Sequence, residues 1–287
     1  MQKRNVLNSP RLRELKKHRQ RASQKKIALR FLIFLVIFIS FIYISRVSIL
    51  NIDSVEVMGN KFIDTEIIKE VVQEEITGNY LYFFPKTNIL FYPKSRIKNE
   101  LADKFKRLKN ITLLIQNKKV LVVSLSEREA SYIWCGNILP ETNSSDQKCY
   151  FLDKDGYIFD EAPYFSGEVY FKFYGFVNAN IPSGSYFSPD NFSKFISFKE
   201  TLETLKLKPV ALYVTPDGDI KVFLSTGTAS STGPEIIFKA DAELQKVEEN
   251  LQAALTTEPL QSKIKSKYSS LQYIDLRFGN KVYYKFY

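Results

Sequence analysis

Few side chains in this sequence are of the types that do chemistry, and their spacing supports little of it. The single histidine, His18, stands among Lys16, Lys17 and Arg19, a cationic setting in which a solvated side chain is expected rather than a base or a metal ligand. No Cys-x-x-Cys, Gly-x-Ser-x-Gly, phosphate-binding glycine loop or dinucleotide fingerprint occurs. Carboxylate pairs such as Glu74-Glu75 have no base beside them. Asp153-Lys154-Asp155-Gly156 opens like a calcium loop, but the third acidic position and the closing glutamate are missing, so a turn is expected there. Three Asn-x-Ser/Thr triplets, at Asn110, Asn143 and Asn191, match a glycosylation pattern short enough to arise by chance. Neither a catalytic set nor a cofactor or metal site is expected.

The element that organises the chain is Phe31 to Ser45, fifteen residues without charge, Gly or Pro. As a helix it is about 22 Å long, and Ile27 to Leu29 and Val47 to Leu50 extend it toward the roughly 30 Å of a hydrocarbon core. One membrane-spanning helix within 27–50 is expected, with the stems of Arg30 and Arg46 along apolar surface and their charges at the interfaces. A buried core helix would keep a polar stripe, and only Ser40 and Tyr43 offer one. A cleaved signal peptide needs a shorter basic region and a small-x-small site, which Phe41 to Ile44 lacks.

Charge then gives direction. Residues 1–30 hold eleven Lys or Arg against Glu14 alone, and residues 31–287 hold thirty of each sign. The basic pI belongs to the tail. Cations beside a spanning helix stay in the cytoplasm, which places the tail inside and the chain after Leu50 outside. The same cations suit an anionic lipid surface, and nucleic acid is not expected as a partner of the neutral external part. Most of residues 1–26, polar and short of apolar period, are expected to be disordered.

Cys135 and Cys149 both fall on the external side, where disulfides persist. A bridge would close a loop of about fifteen residues and stabilise by about 3 kcal/mol. Free thiols in a reducing compartment are the alternative.

Beyond the membrane, the residues after Asn51 alternate as a strand with Ile52, Val55 and Val57 inward, and Gly59-Asn60 turns the chain. Asp64 caps a helix to about Ile76, with Ile67, Ile68, Val71 and Val72 on one side. Pro93 opens a second helix carrying Ile97, Leu101, Phe105 and Leu108. Residues 110–116 and 120–126 read as two strands. The order is strand, helix, helix, strand, strand, with the helices covering one face of a small sheet. From Glu127 the chain is strand-rich. Asp155-Gly156 and Pro216-Asp217-Gly218 mark hairpins, and helical stripes follow at Phe195, Phe198, Leu202, Leu205 and at Leu244, Val247, Leu251, Leu255. Last come Leu271 to Phe278, Gly279-Asn280, and a strand dense in aromatics: Tyr283, Tyr284, Phe286 and Tyr287. Its alternate residues either pack into a core or stand at a sheet edge that receives a partner's strand.

This order of parts resembles the FtsQ/DivIB family of bacterial cell-division proteins. Val55-Glu56-Val57-Met58-Gly59-Asn60 is similar to the first strand and turn of the family's POTRA domain, and Ser126-Glu127-Arg128 to the Glu-Arg that closes it. Ala130 stands where a proline is usual. Asp153 to Phe159 is similar to the family's Asp-x-x-Gly-x-hydrophobic-Phe hairpin, and Ile274-Asp275-Leu276-Arg277-Phe278 to its Asp-Leu-Arg strand. The resemblance implies an α+β protein: a basic tail (1–26), a single-pass helix (27–50), a POTRA domain (51–126) and a β domain (127–287) with C-terminal partner-binding strands. It implies a non-enzymatic scaffold of the division septum, anchored in the plasma membrane with its C-terminus outside the cytoplasm. The implied partners are FtsB/DivIC-like and FtsL-like single-pass proteins and other divisome components, through which septal peptidoglycan synthesis is regulated. It assigns partner contact to Arg277 and Phe278, and Tyr284 falls near an aromatic of the family's last strand. A tethered chaperone or secretion accessory acting on exported polypeptides is the alternative function.

Overall fold

The computed structural model describes residues 10–137, 139, 147–178, 181–225 and 233–287. Asn143 lies outside these residues. The fold is mixed α and β, with one long N-terminal apolar helix and a body rich in sheet.

Helix α1 (Pro10–Ser45) is continuous. The expectation of a disordered tail is therefore corrected from Pro10 onward. Lys, Arg, Gln, Ala and Leu are all good helix formers, and a helix nucleated in the apolar stretch propagates into them at little cost. The helix from Arg19 to Ser45 is long and apolar enough to cross a membrane: its most apolar eighteen-residue window has a mean hydropathy of 2.7 and none of that window is buried inside the protein. The helix stops at Ser45 rather than running to Leu50. Ser48–Leu50 forms a short 3-10 turn instead. The carbonyls at the helix end take side-chain partners: Asn51 Nδ2 donates to Val47 O at 2.8 Å and Ser45 O at 3.2 Å, and buried Asn88 Nδ2 donates to Ser45 O at 2.9 Å. Orphan carbonyls of a helix end are satisfied without another turn.

The chain divides into two compact units. One runs to Leu101 and takes in Asn110–Leu125; the other holds Ala102–Lys109 and Ser126–Tyr287. In the first lie β1 (Ser54–Met58), α2 (Thr65–Ile76), the short strands β2 (Asn79–Tyr80) and β3 (Phe84–Pro85), and most of α3 (Lys94–Lys104), β4 (Leu108–Gln116) and β5 (Val120–Glu127). The three-stranded sheet has the order β1-β5-β4, with β1 parallel to β5 from Ser54↔Val120 to Met58↔Ser124. Asp64 is the N-cap of α2, its carboxylate accepting from the Glu66 N–H at 2.9 Å. The inward stripe of α2 is Ile68, Val71, Val72 and Ile76; Ile67 is exposed. Gly59 follows β1 with φ +93°, and a Cβ there would stand 2.0 Å from Leu125 O, so only glycine fits between turn and strand. Leu108, expected on a helix, begins β4.

The second unit is built on a nine-stranded sheet. Its strands are β6 (Tyr132–Trp134), β7 (Cys149–Leu152), β8 (Ile158–Ala162), β9 (Lys172–Tyr174), β10 (Pro209–Val214), β11 (Asp219–Leu224), β12 (Glu235–Lys239), β13 (Leu271–Phe278) and β14 (Lys281–Phe286), in the order β14-β13-β12-β11-β10-β9-β6-β7-β8. Helices α4 (Phe192–Thr204), α5 (Leu244–Thr256) and α6 (Leu260–Lys267) accompany it. Phe195, Phe198 and Leu202 of α4 and Val247 and Leu251 of α5 share a buried cluster with Ile220, Ile236, Ile274 and Leu276 of the sheet. Each such side chain contributes about 1.5–3 kcal/mol on full burial. A smaller cluster of Ile133, Cys135, Tyr174, Ala211 and Phe223 is separate from it. Cys135 and Cys149 are joined as a disulfide beside that cluster.

Asp153 is nine-tenths buried or more and fully engaged. One carboxylate oxygen accepts from the N–H groups of Asp155 at 2.9 Å and Tyr157 at 3.0 Å, and the other pairs with Arg128 at 2.5 Å. Arg128 in turn lies 3.7 Å over the Tyr157 ring. That arrangement fixes a turn; among the described residues no three His, Cys, Asp or Glu side chains gather to hold a metal ion.

Candidate functional site

The two sheet edges differ. At one end, β8 is partly covered: Ile158 exchanges backbone hydrogen bonds with Ser185 O and the Gly184 N–H, Tyr157 bridges to Tyr186, and Ser183 Oγ bonds Phe159 O. At the other end β14 pairs with β13 alone among the described residues. A strand with a partner on one side leaves its other row of N–H and C=O groups for solvent or for another chain.

Local sequence puts β14 there. Gly279-Asn280 turns the chain, Gly279 with φ +63°, and Phe278 pairs with Lys281 across the turn. Side chains then alternate: Lys281, Tyr283 and Lys285 are exposed, while Val282, Tyr284 and Phe286 are half-buried against the helix-side core. Phe278 and Tyr283 meet edge to face with ring centroids 5.2 Å apart, and each remains about half exposed. Tyr284 lies on the opposite face, its ring 6.0 Å from that of Phe286, with the Lys263 ammonium 5.7 Å away. The expected residues thus separate: Arg277 and Phe278 are adjacent with Tyr283, and Tyr284 faces the helices.

Arg277 is held rather than free. Its guanidinium makes a parallel pair of hydrogen bonds to Asp275, Nε to Oδ1 at 2.9 Å and one terminal nitrogen to Oδ2 at 2.6 Å, and its other terminal nitrogen reaches Asp219 Oδ2 on β11 at 2.6 Å. Lys239 on β12 closes the cluster with an ion pair to Asp219 at 2.7 Å. Both carboxylates are held below their ordinary range. For Asp219 the hydrogen bond from Lys239 is the main cause, against burial; for Asp275 burial pushes upward and the Arg277 bonds outweigh it. The Arg277 pKa rises, chiefly through its bonds to Asp275. The cluster staples three strands, β11, β12 and β13, next to the edge.

On the helix side a shallow groove of about 270 Å³ runs beside β14, lined by Ala253 and Ala254 of α5, Leu260 of α6, and Val282 and Tyr284 of the strand. Asn250 secures its end by donating to Gly279 O at 2.9 Å. The edge therefore offers aromatics on one face and, on the other, a groove of mixed lining in which Thr257, Glu258 and Asn280 stand beside the apolar residues, with Lys263, Lys281 and Lys285 around them. No family model matches the chain, and no curated protein matches it. What the arrangement can do is bind: backbone pairing at the edge, ring contacts above, one side chain below.

Elsewhere a cavity of about 350 Å³ opens beside the disulfide, lined by Ile133, Phe165, Tyr170, Tyr174 and Phe223 around Lys172. Burial lowers the Lys172 pKa and pushes that of Tyr174 up to about 12. Its one carboxylate, Glu168, feels burial upward, yet hydrogen bonds from Lys208 and Ser225 hold it below its ordinary value. Glu168 is tied to Lys208 and Ser225.

Sequence reasoning missed Tyr283 as the ring partner of Phe278, the Asp219–Lys239 arm of the cluster, and the groove. The strand's alternation carried a signal for the first, since Tyr283 and Lys281 share a face. The consecutive small residues Ala253 and Ala254 were a signal for the groove. Nothing local joins Asp219 to Arg277 across three strands.

Proposed function

We propose that this protein is a membrane-anchored, non-enzymatic scaffold of the FtsQ/DivIB kind, acting at the bacterial division septum. The first unit, with its strand, two helices and two strands, is read as the POTRA domain and the second as the β domain. The chain enters the plasma membrane once through α1, with its basic tail in the cytoplasm and both units outside. Its partners are FtsB/DivIC-like and FtsL-like single-pass proteins of the same bilayer, where tethering raises their local concentration.

One observation carries this reading: the free edge of β14, flanked by Phe278 and Tyr283 on one face and by the groove on the other. An extended segment pairing with β14 has alternate side chains on both faces, so one set meets the two rings and the other enters the slot beside Tyr284. The lysines at the edge favour an acidic segment. Arg277 acts by holding the edge in place and Phe278 by contact.

The test is capture of an FtsB-like extracytoplasmic segment by the full chain in detergent. The paired change Phe278→Ala and Tyr283→Ala is expected to weaken capture at least about tenfold, as loss of a ring cluster at an interface centre does. Capture at the parent level by a folded double variant would reject the reading.

A further inference from the structure

The segment between α2 and α3, Asn79 to Tyr92, reads Asn-Tyr-Leu-Tyr-Phe-Phe-Pro-Lys-Thr-Asn-Ile-Leu-Phe-Tyr. Nine of its fourteen residues are Leu, Ile, Phe or Tyr, and much of it is on the surface: Leu81 is 79% exposed, Tyr82 90% and Leu90 71%. A single exposed side chain of this kind is ordinary, whereas a contiguous apolar patch marks a contact surface.

The hairpin tip is also strained. Leu81 and Tyr82 have φ +48° and +66°, and the Phe83 N–H closes the turn on Tyr80 O at 3.0 Å. Two central residues in the left-handed region call for Asn-Gly or Gly-Gly in a segment that only reverses direction. Bulky side chains in that conformation are strained. Backbone strain of this kind at an exposed tip points to a use for the side chains themselves.

Their neighbours say what that use is. Phe83 and Phe84 each lie 6.1 Å from Phe38 of α1 by ring centroid, Phe84 lies 5.6 Å from Phe41, and Phe91 lies 6.0 Å from Phe41. Phe41 and Phe38 precede the helix end at Ser45 by four and seven residues, about 6 and 10 Å along the axis. The segment therefore reaches back along the apolar helix past its end. It is locked in that position: Arg46 donates to Tyr82 O and Phe83 O at 3.3 Å, Asn88 donates to Ser45 O, and the Ile89 N–H bonds Leu50 O at 2.9 Å. A hairpin fixed against the outer 10 Å of a spanning helix lies within the depth that interfacial apolar groups occupy, about 5–10 Å into the boundary of headgroups and acyl chains. Tyr suits that boundary, with its ring body in the chains and its hydroxyl in the headgroups, and the Phe and Leu side chains suit the chains beside it.

We propose that residues 79–91 form a wedge that inserts into the bilayer leaflet at the C-terminal end of α1, with Leu81, Tyr82 and Leu90 in lipid. This rests on α1 crossing the membrane. The wedge fixes the rotation and depth of α1 against its own unit, so that the segment from Asn51 to β1 leaves the bilayer in one direction instead of swinging on a tether.

Depth-dependent fluorescence quenching tests it with the full chain in phosphatidylcholine vesicles whose acyl chains carry bromine at shallow, middle or terminal positions. Tyr82→Trp and Leu90→Trp are measured separately, with Phe34→Trp as the probe of α1 and the parent chain, whose one tryptophan is the buried Trp134, as baseline. The added emission of the 82 and 90 probes is expected to be lost most to shallow bromines, and that of the 34 probe to deeper ones. Quenching at 34 without quenching at 82 and 90 overturns the wedge while leaving the span intact, and would mean that protein rather than lipid covers the patch. No quenching at 34 overturns the span and the wedge with it.

Discussion

Arg277 grips Asp275, two residues earlier on the same strand, through two parallel hydrogen bonds of 2.9 and 2.6 Å, while its remaining terminal nitrogen crosses to Asp219 at 2.6 Å. A side chain so occupied serves the sheet first. Its charge is spent on two largely buried carboxylates rather than offered to solvent.

Arg277→Ala is accordingly expected to destabilise the second unit by about 1–3 kcal/mol, because buried Asp275 loses its guanidinium partner and Asp219 keeps only its ion pair with Lys239. Arg277→Lys should fall between the two, since an ammonium keeps the charge and loses the fork that fits a carboxylate. Urea unfolding of the three chains checks the order. Equal midpoints for Arg, Lys and Ala would show that the cluster does not support the sheet.

The same cluster predicts an acid limb. Asp219 and Asp275 have folded pKa values below the unfolded value of about 3.9. Their contribution is therefore complete above pH 4 and is lost as pH falls through the folded values. Tm against pH should drop below about pH 4 in the parent chain, and the drop should be shallower in Asp275→Asn, which has one such group fewer. Parallel curves would assign acid unfolding to other carboxylates.

Much of the fold was legible because local signals and tertiary packing agreed. Asp64 as cap, Gly59-Asn60 as turn, the α5 stripe and the Gly279-Asn280 hairpin are each set by a few neighbouring residues. Legibility failed in three physical situations. Strands β6 and β9 are three residues long and are held by parallel pairing to chain far away in sequence, Trp134 beside Phe173 and Tyr174 beside Tyr213, which leaves no local period. The α1 boundary at Ser45 is set by Asn51 and Asn88, the latter forty-three residues on. The β2–β3 hairpin turns through Leu81 and Tyr82, so the usual glycine or asparagine signal is missing where the turn is.

The candidate site was legible in outline for a related reason. Alternation in Lys281 to Phe286 shows two faces, and the Gly279-Asn280 turn pairs that strand with the one before it. Which face is which is decided by α5 and α6 packing on Val282, Tyr284 and Phe286, information that the strand itself does not hold. The family resemblance groups Tyr284 with Phe278, whereas the structure pairs Phe278 with Tyr283.

Whether β14 receives a partner's strand is measured at the backbone by amide hydrogen exchange of the full chain in lipid nanodiscs, with and without an FtsB-like extracytoplasmic segment. Slowed exchange concentrated in residues 281–286 is the predicted result, since new backbone pairing protects the open row of that strand. Binding that leaves exchange in 281–286 unchanged and protects other residues would contradict it.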